Sequence, residues 1–479
     1  MTFLLPEAFS DALSRHGGRL AVADPDGSLD CAGLAERAHA AAARITGHAT
    51  SGDRLRVGLY ATNSTDYLVS YLGTLFAGAV PFLIDSAFGP FELSRIAEDC
   101  GLDLLIHAQD AAVSPPATEP PVREDEFGAL VVSRVREGSG PRPRLLGTTE
   151  VCRFTSGSTG RPNCIEFSGR AVHAAAANWA RGTGLSAEDR IACLAALSNG
   201  LAFNTSLLAA FLSGASLHLS RGLPTASRVT RLLESTGATR LVAFPALYES
   251  IVRRSTVTGF TTVRTAISSG APLRESVRER FTHLTGVPVH NYYGVAETGP
   301  LTYAPEGGGS GLGASLPGVR LLAGPDGIRV RSESMGSRYL NAPGVFEDRI
   351  DAEGFYRTGD QGYLRDGALH LTGRTGRMVN VGGRKIDPIE VAGVLRGAPD
   401  VTDAVAFEYE NQHGEPTLAA VVATGPGATV RELREHCAAV LPSFKVPGIL
   451  HLVDEIPVNS IGKPSVVRLR RLLDDAQTG

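Results

Sequence analysis

The 479-residue chain reads as an α/β protein: a large N-terminal domain of helix-covered sheets plus a β-rich subdomain, followed by a small α+β C-terminal domain. Three observations predict it. Residues 1–300 alternate helix-period segments with short apolar runs, the pattern of parallel strands covered by helices. Residues 310–372 switch to short alternating segments divided by Gly and Asp, the pattern of hairpins. After Arg374 a mixed pattern returns over about 100 residues, enough for a separate small fold. The expected domains are therefore 1–373, with the β-rich part at about 310–372, and 374–479.

Taken in order, "MTFLLPEAFSDALSRHGG" reads as an amphipathic helix. It lacks the basic start and cleavage site of a signal peptide. "LRVGLYA" (55–61) and "LDLLIHA" (102–108) read as buried strands, and 67–84 as a helix followed by a strand. The Pro/Gly-rich, charged stretches 114–128 and 136–144 read as exposed connections. Further strands are expected at 190–196, 216–220, 240–245 and 263–269. "GIRVRSE" and "GALHLTG" supply hairpin strands. Beyond Arg374 come "RMVNVGGRKI", a helix from Pro388, "DAVAFEYE", "TLAAVVAT", a helix from Val430 and "GILHLVDEI".

Composition excludes several classes. The net charge of −4 gives no basic surface for nucleic acid. No apolar run reaches the roughly 20 residues that span a bilayer. Six scattered cysteines without CxxC spacing read as reduced, partly buried thiols of a cytoplasmic protein. Cys164 stands beside a Gly/Ser-rich motif, but nothing near it marks a nucleophile. Arginine is plentiful, whereas lysine occurs only as Lys385, Lys445 and Lys463. Where lysine persists against such a bias, its compact ammonium is a candidate for chemistry that a guanidinium cannot replace.

The stretch "RFTSGSTGRPN" (153–163) concentrates hydroxyls and glycines. Such a run turns tightly and presents many N–H and O–H donors to one anion, which suits a polyphosphate. It is not a Walker loop, since no GK[ST] follows the glycines. With it, in order, come "SSGAP" (268–272), "YYGVAETG" (292–299), "YRTGD" (356–360), "GRTGRMVNVGGRKIDPIEV" (373–391) and "PVNSIGKP" (457–464). On these six motifs nearly the whole chain resembles the adenylate-forming superfamily: acyl- and aryl-CoA synthetases, peptide-synthetase adenylation domains and firefly luciferase.

The resemblance implies a mobile C-terminal domain and two half-reactions. A carboxylate attacks the α-phosphate of ATP, giving an acyl-adenylate and pyrophosphate. A thiol, of CoA or of a carrier-protein phosphopantetheine, then displaces AMP. It also implies roles. Thr155, Ser156, Gly157, Ser158, Thr159 and Gly160 hold the β- and γ-phosphates. Gly270, Ala271 and Pro272 line the adenine. Tyr293 stacks on the purine, or is a core tyrosine, and Tyr292, Gly294 and Ala296 belong to the same nucleotide site. Glu297 coordinates Mg²⁺, a hard cation that takes oxygen ligands. Asp360 accepts the ribose hydroxyls, with Arg374 as a second ribose contact. Lys463 bridges carboxylate and ribose, placing a cation between two approaching anions. Lys463, Glu297 and Thr155 are thus the catalytic set. Gly376 is the hinge, and Gly382 and Gly383 face the pantetheine arm. Two departures stand out. Ala296 replaces a threonine of many relatives, and Asn163 replaces a lysine near the pyrophosphate. Either Arg153 or Arg161 compensates for that lysine, or pyrophosphate is held weakly.

The segment 196–219 resembles the acid-pocket helix of these ligases. It holds no acidic residue to pair with an amino group, so an aryl or acyl acid is expected rather than an α-amino acid. Ser198, Asn199, Phe203, Asn204, Phe244, Ser268, Ser269, Val295 and Pro300 are the candidate lining and suggest an uncharged pocket. The expected partners are a small carboxylic acid and an acyl carrier protein or CoA, with neither nucleic acid nor membrane. Two other readings remain open: a different second step (amide formation, adenylate oxidation or nitrite-dependent diazotisation), and a degenerate nucleotide-binding protein.

Overall fold

The computed structural model describes residues 4–49, 53–109, 122–135, 142–155, 162–220, 225–254, 257–270, 273–305, 311–374, 379–381, 384–410, 416–441, 445–459 and 464–478. The chain divides into two compact units. Met1–Leu321 with Val330–Tyr356 form one, and Leu322–Arg329 with Arg357–Gly479 form the other.

The larger unit is built on two sheets. The first has nine strands in the order Ala314–Ser315, Gly299–Tyr303, Val289–Val295, Thr265–Ser268, Arg240–Ala243, Arg190–Cys193, Ser216–Leu219, Leu20–Asp24 and Gly27–Asp30. Its six middle strands, from Val289–Val295 to Leu20–Asp24, are parallel, and the outer pairings are antiparallel. Sequences such as "RLVA" and "SLHL" are buried along their whole length, as central parallel strands covered on both faces must be. The second sheet has eight strands: Arg338–Tyr339, Cys164–Ser168, Thr149–Phe154, Val80–Leu83, Arg56–Tyr60, Leu104–Ala108, Leu130–Arg134 and Val122–Phe127. The last of these corrects the sequence reading. Part of the 114–128 stretch is an edge strand, antiparallel to Leu130–Arg134. Its charges hid a strand that alternates only weakly.

Helices start where short polar side chains cap them. Asp30, Ser64, Ser168 and Thr225 each accept a hydrogen bond from a backbone N–H in the first turn of the following helix. Helix Thr65–Phe76 buries almost every side chain, so it is covered on several sides. It packs closely on Cys31–Gly47, where a Cβ on Gly73 would stand 2.6 Å from that of Ala41. Helix Leu5–His16 buries Leu5, Phe9, Ala12 and Leu13, as its periodicity predicts. Under the nine-stranded sheet, Val229, Leu233, Leu241, Tyr248, Ile251, Phe281 and Val289 form one core cluster. No described helix is long and apolar enough to cross a membrane.

The smaller unit carries the hairpin Asp360–Arg365 and Ala368–Arg374. Asp366 and Gly367 have φ of +53° and +78° at its turn, the geometry that Asp-Gly favours between two strands. A sheet of Val401–Glu410, Pro416–Thr424 and Ile449–Val453 follows, with helices Pro388–Arg396 and Val430–Val440 packed on one face. Thr429 and Glu432 close a capping box at the second of these helices.

Candidate active site

Four adjacent parallel strands of the nine-stranded sheet deliver candidate residues from one end. Val289–Val295 runs into Ala296 and Glu297; Thr265–Ser268 runs into Ser269 and Gly270; Arg240–Ala243 runs into Phe244; and Arg190–Cys193 leads to Ser198 and Asn199. Ligands of open α/β sheets collect at the carboxyl ends of such strands. The row is internally bonded. Ser269 donates its hydroxyl to the Tyr292 carbonyl at 2.9 Å. Gly270 sits at φ +86°, and a Cβ there would come within 2.9 Å of the Phe244 ring, so only glycine lets these two candidates pack together.

Glu297 lies on the turn between Val289–Val295 and Gly299–Tyr303. The turn is tight: a Cβ on Gly294 would stand 2.5 Å from the Gly299 carbonyl oxygen. It is pinned from outside by Gly336, whose N–H donates to the Glu297 carbonyl at 2.7 Å. The Ser334 hydroxyl donates to the Thr298 carbonyl at 2.7 Å. Tyr339 then donates its phenol proton to Glu297 Oε1 at 2.6 Å. Burial, with the carboxylate beside it, drives the Tyr339 pKa far above its ordinary value, so the phenol stays a donor. The second Glu297 oxygen is the one suited to a metal. These residues fit Mg²⁺: an oriented carboxylate on a rigid turn.

The Gly/Ser-rich loop is closed at its neck. The Thr155 N–H donates to the Asn163 carbonyl at 2.9 Å, and the Asn163 N–H donates to Thr155 Oγ1 at 3.2 Å. Asn341 braces the returning strand, accepting from the Cys164 N–H at 2.8 Å and donating to the Pro162 carbonyl at 3.0 Å. Ser156, Gly157, Ser158, Thr159, Gly160 and Arg161 lie outside the described residues. So do Ala271, Pro272, Gly376, Gly382, Gly383 and Lys463.

The segment 200–213 is helical throughout, with a π-helical turn at Phe203–Leu207. Such turns interrupt an α-helix where a side chain must be re-aimed, often at functional sites. Asn199 caps it, its Oδ1 accepting from the Leu201 N–H at 2.9 Å. Buried Asn63 clamps the approach: its amide donates to the Ala195 carbonyl and accepts from the Leu197 N–H, both at 2.8 Å. Phe203, Asn204, Ser198, Ser268, Ser269 and Pro300 are buried, while Asn199, Phe244 and Val295 are half-buried.

A charged side chain packs against the candidate Phe203. Arg153, from strand Thr149–Phe154, is 2% exposed. Its guanidinium lies 4.7 Å from the centroids of both the Phe167 and Phe203 rings. Its Nη2 donates to the Ala296 carbonyl at 3.0 Å. Burial lowers its pKa to about 10, leaving it a cation at neutral pH. Tyr292 stacks edge-on against Trp179 at 5.0 Å, and burial pushes its phenol up to about 12. Tyr293, one residue along the strand, is buried too.

In the smaller unit Asp360 is buried, and its N–H donates to the Thr358 hydroxyl at 3.1 Å. Asp360 and Arg374 are cross-strand partners in the hairpin, so the two ribose candidates are neighbours, though the Arg374 side chain is outside the description. Sequence reasoning missed Tyr339, Asn341 and Asn63. Each is a lone polar residue far along the chain from the group it holds. The only signal was a polar residue at a position the local pattern makes interior.

Comparison with known proteins gives the family and the fold. The AMP-binding enzyme family profile matches residues 9–346, and that of the AMP-binding enzyme C-terminal domain matches 390–463. The 3-hydroxybenzoate–CoA ligase of Aromatoleum sp. (strain CIB) is 26% identical over 447 residues, 86% of this chain and 85% of that protein. The anthranilate–CoA ligase of Pseudomonas aeruginosa is 29% identical over 458 residues, 88% and 87% of the two chains. Among solved structures, ATP-bound MatB from Rhodopseudomonas palustris shares the fold with a TM-score of 0.83 at 20% identity, covering 98% of this chain and 99% of its own.

Proposed function

The chain belongs to the AMP-binding enzyme family, and from that premise we propose that it joins an aryl or acyl carboxylic acid to a thiol through an acyl-adenylate. The observation that carries this reading is Glu297, fixed by Tyr339 and Gly336 at the end of the strand row that also bears Gly270 and Phe244.

In the first step an acid oxygen attacks the α-phosphorus of ATP, and the bond to the pyrophosphate oxygen breaks. Thr155, at the closed neck, starts the loop whose N–H and O–H donors hold the departing phosphates. Glu297 would hold Mg²⁺, which when bound supplies positive charge to the phosphate oxygens. Asn204, Phe203 and Phe244 position the acid, and Ser269 fixes the Tyr292 backbone beside it. Lys463 neutralises the approaching carboxylate and phosphate. In the second step a thiolate attacks the acyl carbonyl and AMP leaves with the bonding pair. The domain division at 373/374, the hinge at Gly376, and the choice between CoA and a carrier-protein pantetheine belong to this proposal. The aromatic-acid ligases among the relatives support it, as does the lack of any acidic residue in 196–219.

The test is acid-dependent exchange of pyrophosphate into ATP over a panel of aryl, acyl and amino acids, then thioester formation with CoA or a pantetheinylated carrier. The expected result is exchange with aryl or acyl acids. Clear preference for an α-amino acid, or no ATP binding by folded protein, would overturn it.

A further inference from the structure

Arg153 is a buried cation that feels the negative charge of Glu297 only from beyond ion-pair distance. Among the described residues no carboxylate lies within ion-pair distance of its guanidinium, and its buried Nε has no hydrogen-bond partner. Of five N–H donors, the Ala296 carbonyl takes one. A second orphan adjoins it. The Tyr71 hydroxyl is fully buried, has no partner among the described residues, and lies within electrostatic reach of the same guanidinium. The Tyr71 ring meets Phe203 edge-on at 6.3 Å. Buried polar groups are almost always satisfied, so two orphans around one buried cation call for an explanation.

The surroundings say which ligand. The two phenylalanine rings hold the guanidinium plane in place from strand and pocket helix. At the helix start a Cβ on Gly200 would stand 3.0 Å from Nη1 and 3.8 Å from Asn204 Nδ2. Glycine there lets the start of the pocket helix come close to the edge of the fork, on the side of the acid candidates. A planar fork with donors to spare matches a carboxylate better than a single point of charge would.

We propose that Arg153, with Tyr71 and Asn204 beside it, forms an oxyanion subsite at the inner end of the acid pocket, so that the preferred substrate is a dicarboxylic acid. One carboxylate is adenylated and the other is held by Arg153. The inference rests on the acid–thiol ligase reading. It also bears on Asn163, since an Arg153 engaged by the acid does not replace the lysine absent there.

The test compares matched pairs in pyrophosphate exchange: aliphatic diacids of graded length and benzene dicarboxylates, each against its monoamide. The wild-type protein should favour a diacid over its monoamide by on the order of 10²-fold or more in kcat/KM, the scale of a buried charge left unpaired. Arg153→Met should collapse that ratio toward one. Gly200→Ala, which crowds Nη1 without removing the charge, should lower it as well, so the idea stays testable should the first variant fold poorly. Calorimetric titration of the same pairs into protein loaded with Mg²⁺ and a non-hydrolysable ATP analogue reads the subsite without turnover. Wild-type preference for the monoamides overturns the subsite. So does an equal loss on both members of each pair in Arg153→Met with weaker ATP binding, which would move Arg153 to the nucleotide. Arg153-dependent diacid binding with no exchange on any acid would sink the ligase reading and leave the subsite standing.

Discussion

Tyr339 touches Glu297 through one hydrogen bond, and that bond sets which way the carboxylate faces. It acts through Glu297, so Tyr339→Phe should raise the Mg²⁺ concentration for half-maximal exchange by about 10-fold, the usual effect of removing a partner of a metal ligand. Saturating Mg²⁺ should restore most of the rate; a loss that Mg²⁺ does not rescue would assign Tyr339 to packing alone. Arg153 makes a second prediction, on stability. Its pKa falls from 12.5 to about 10, a cost of about 3 kcal/mol for keeping the charge buried. The two ring contacts return about 1–2 kcal/mol between them. Unliganded Arg153→Met should therefore unfold at the wild-type temperature or above, whereas a structural arginine would lower it by several degrees. Glu297 was singled out in the sequence because its motif is local. Arg153 was named there only as a possible substitute for the lysine missing at Asn163; its burial was not legible, since it depends on the arrival of Phe203 from the pocket helix.

Strands and helices of the larger unit followed their periodicity closely, since a covered parallel strand must be apolar throughout and a capped helix advertises its start. Val122–Phe127 escaped notice because an edge position tolerates charge that a central strand does not. The π-helical turn at Phe203–Leu207 escaped as well, for it depends on what the helix packs against rather than on its composition. Strand Ser216–Leu219 carries a prediction of its own. His218 is buried, with Nε2 at 3.0 Å from the Ser216 hydroxyl. Burial, reinforced by Arg190, pushes its pKa from 6.5 down to about 4. Between those values the unfolded chain binds a proton that the folded strand refuses. The stability of this site is thus complete above pH 6.5, declines as pH falls toward 4, and is level below. From pH 7 to pH 5 the loss is about 2 kcal/mol. In urea titrations at these two pH values, His218→Gln should lose less than the wild type by about that amount. An unchanged difference would mean that other buried groups set the acid sensitivity.

At the scale of the whole chain, six motifs in order made the family legible, while the extent of each compact unit was not. Leu322–Arg329 clusters with the second unit although the first surrounds it in sequence. Such a grouping depends on contacts, which a linear pattern does not display. The two half-reactions predict separate defects. Lys463→Ala should slow adenylation by roughly 10²–10³-fold, the scale of a lost oxyanion donor. Supplied with preformed acyl-adenylate, the variant should still transfer the acyl group at near the wild-type rate. Equal damage to both steps would give Lys463 another role. The cysteines lead elsewhere. All six are buried thiols, and burial raises the pKa of Cys31, Cys152, Cys164, Cys193 and Cys437. The thiolate is the reactive form, so the folded protein should be nearly silent toward maleimides while denaturant unmasks six equivalents. Nature has in effect supplied a blank background for fluorescent labelling. Cysteines placed at exposed Val345 in one unit and Val440 in the other would be the only sites to take dye, so each unit could carry its own probe with every native thiol left in place.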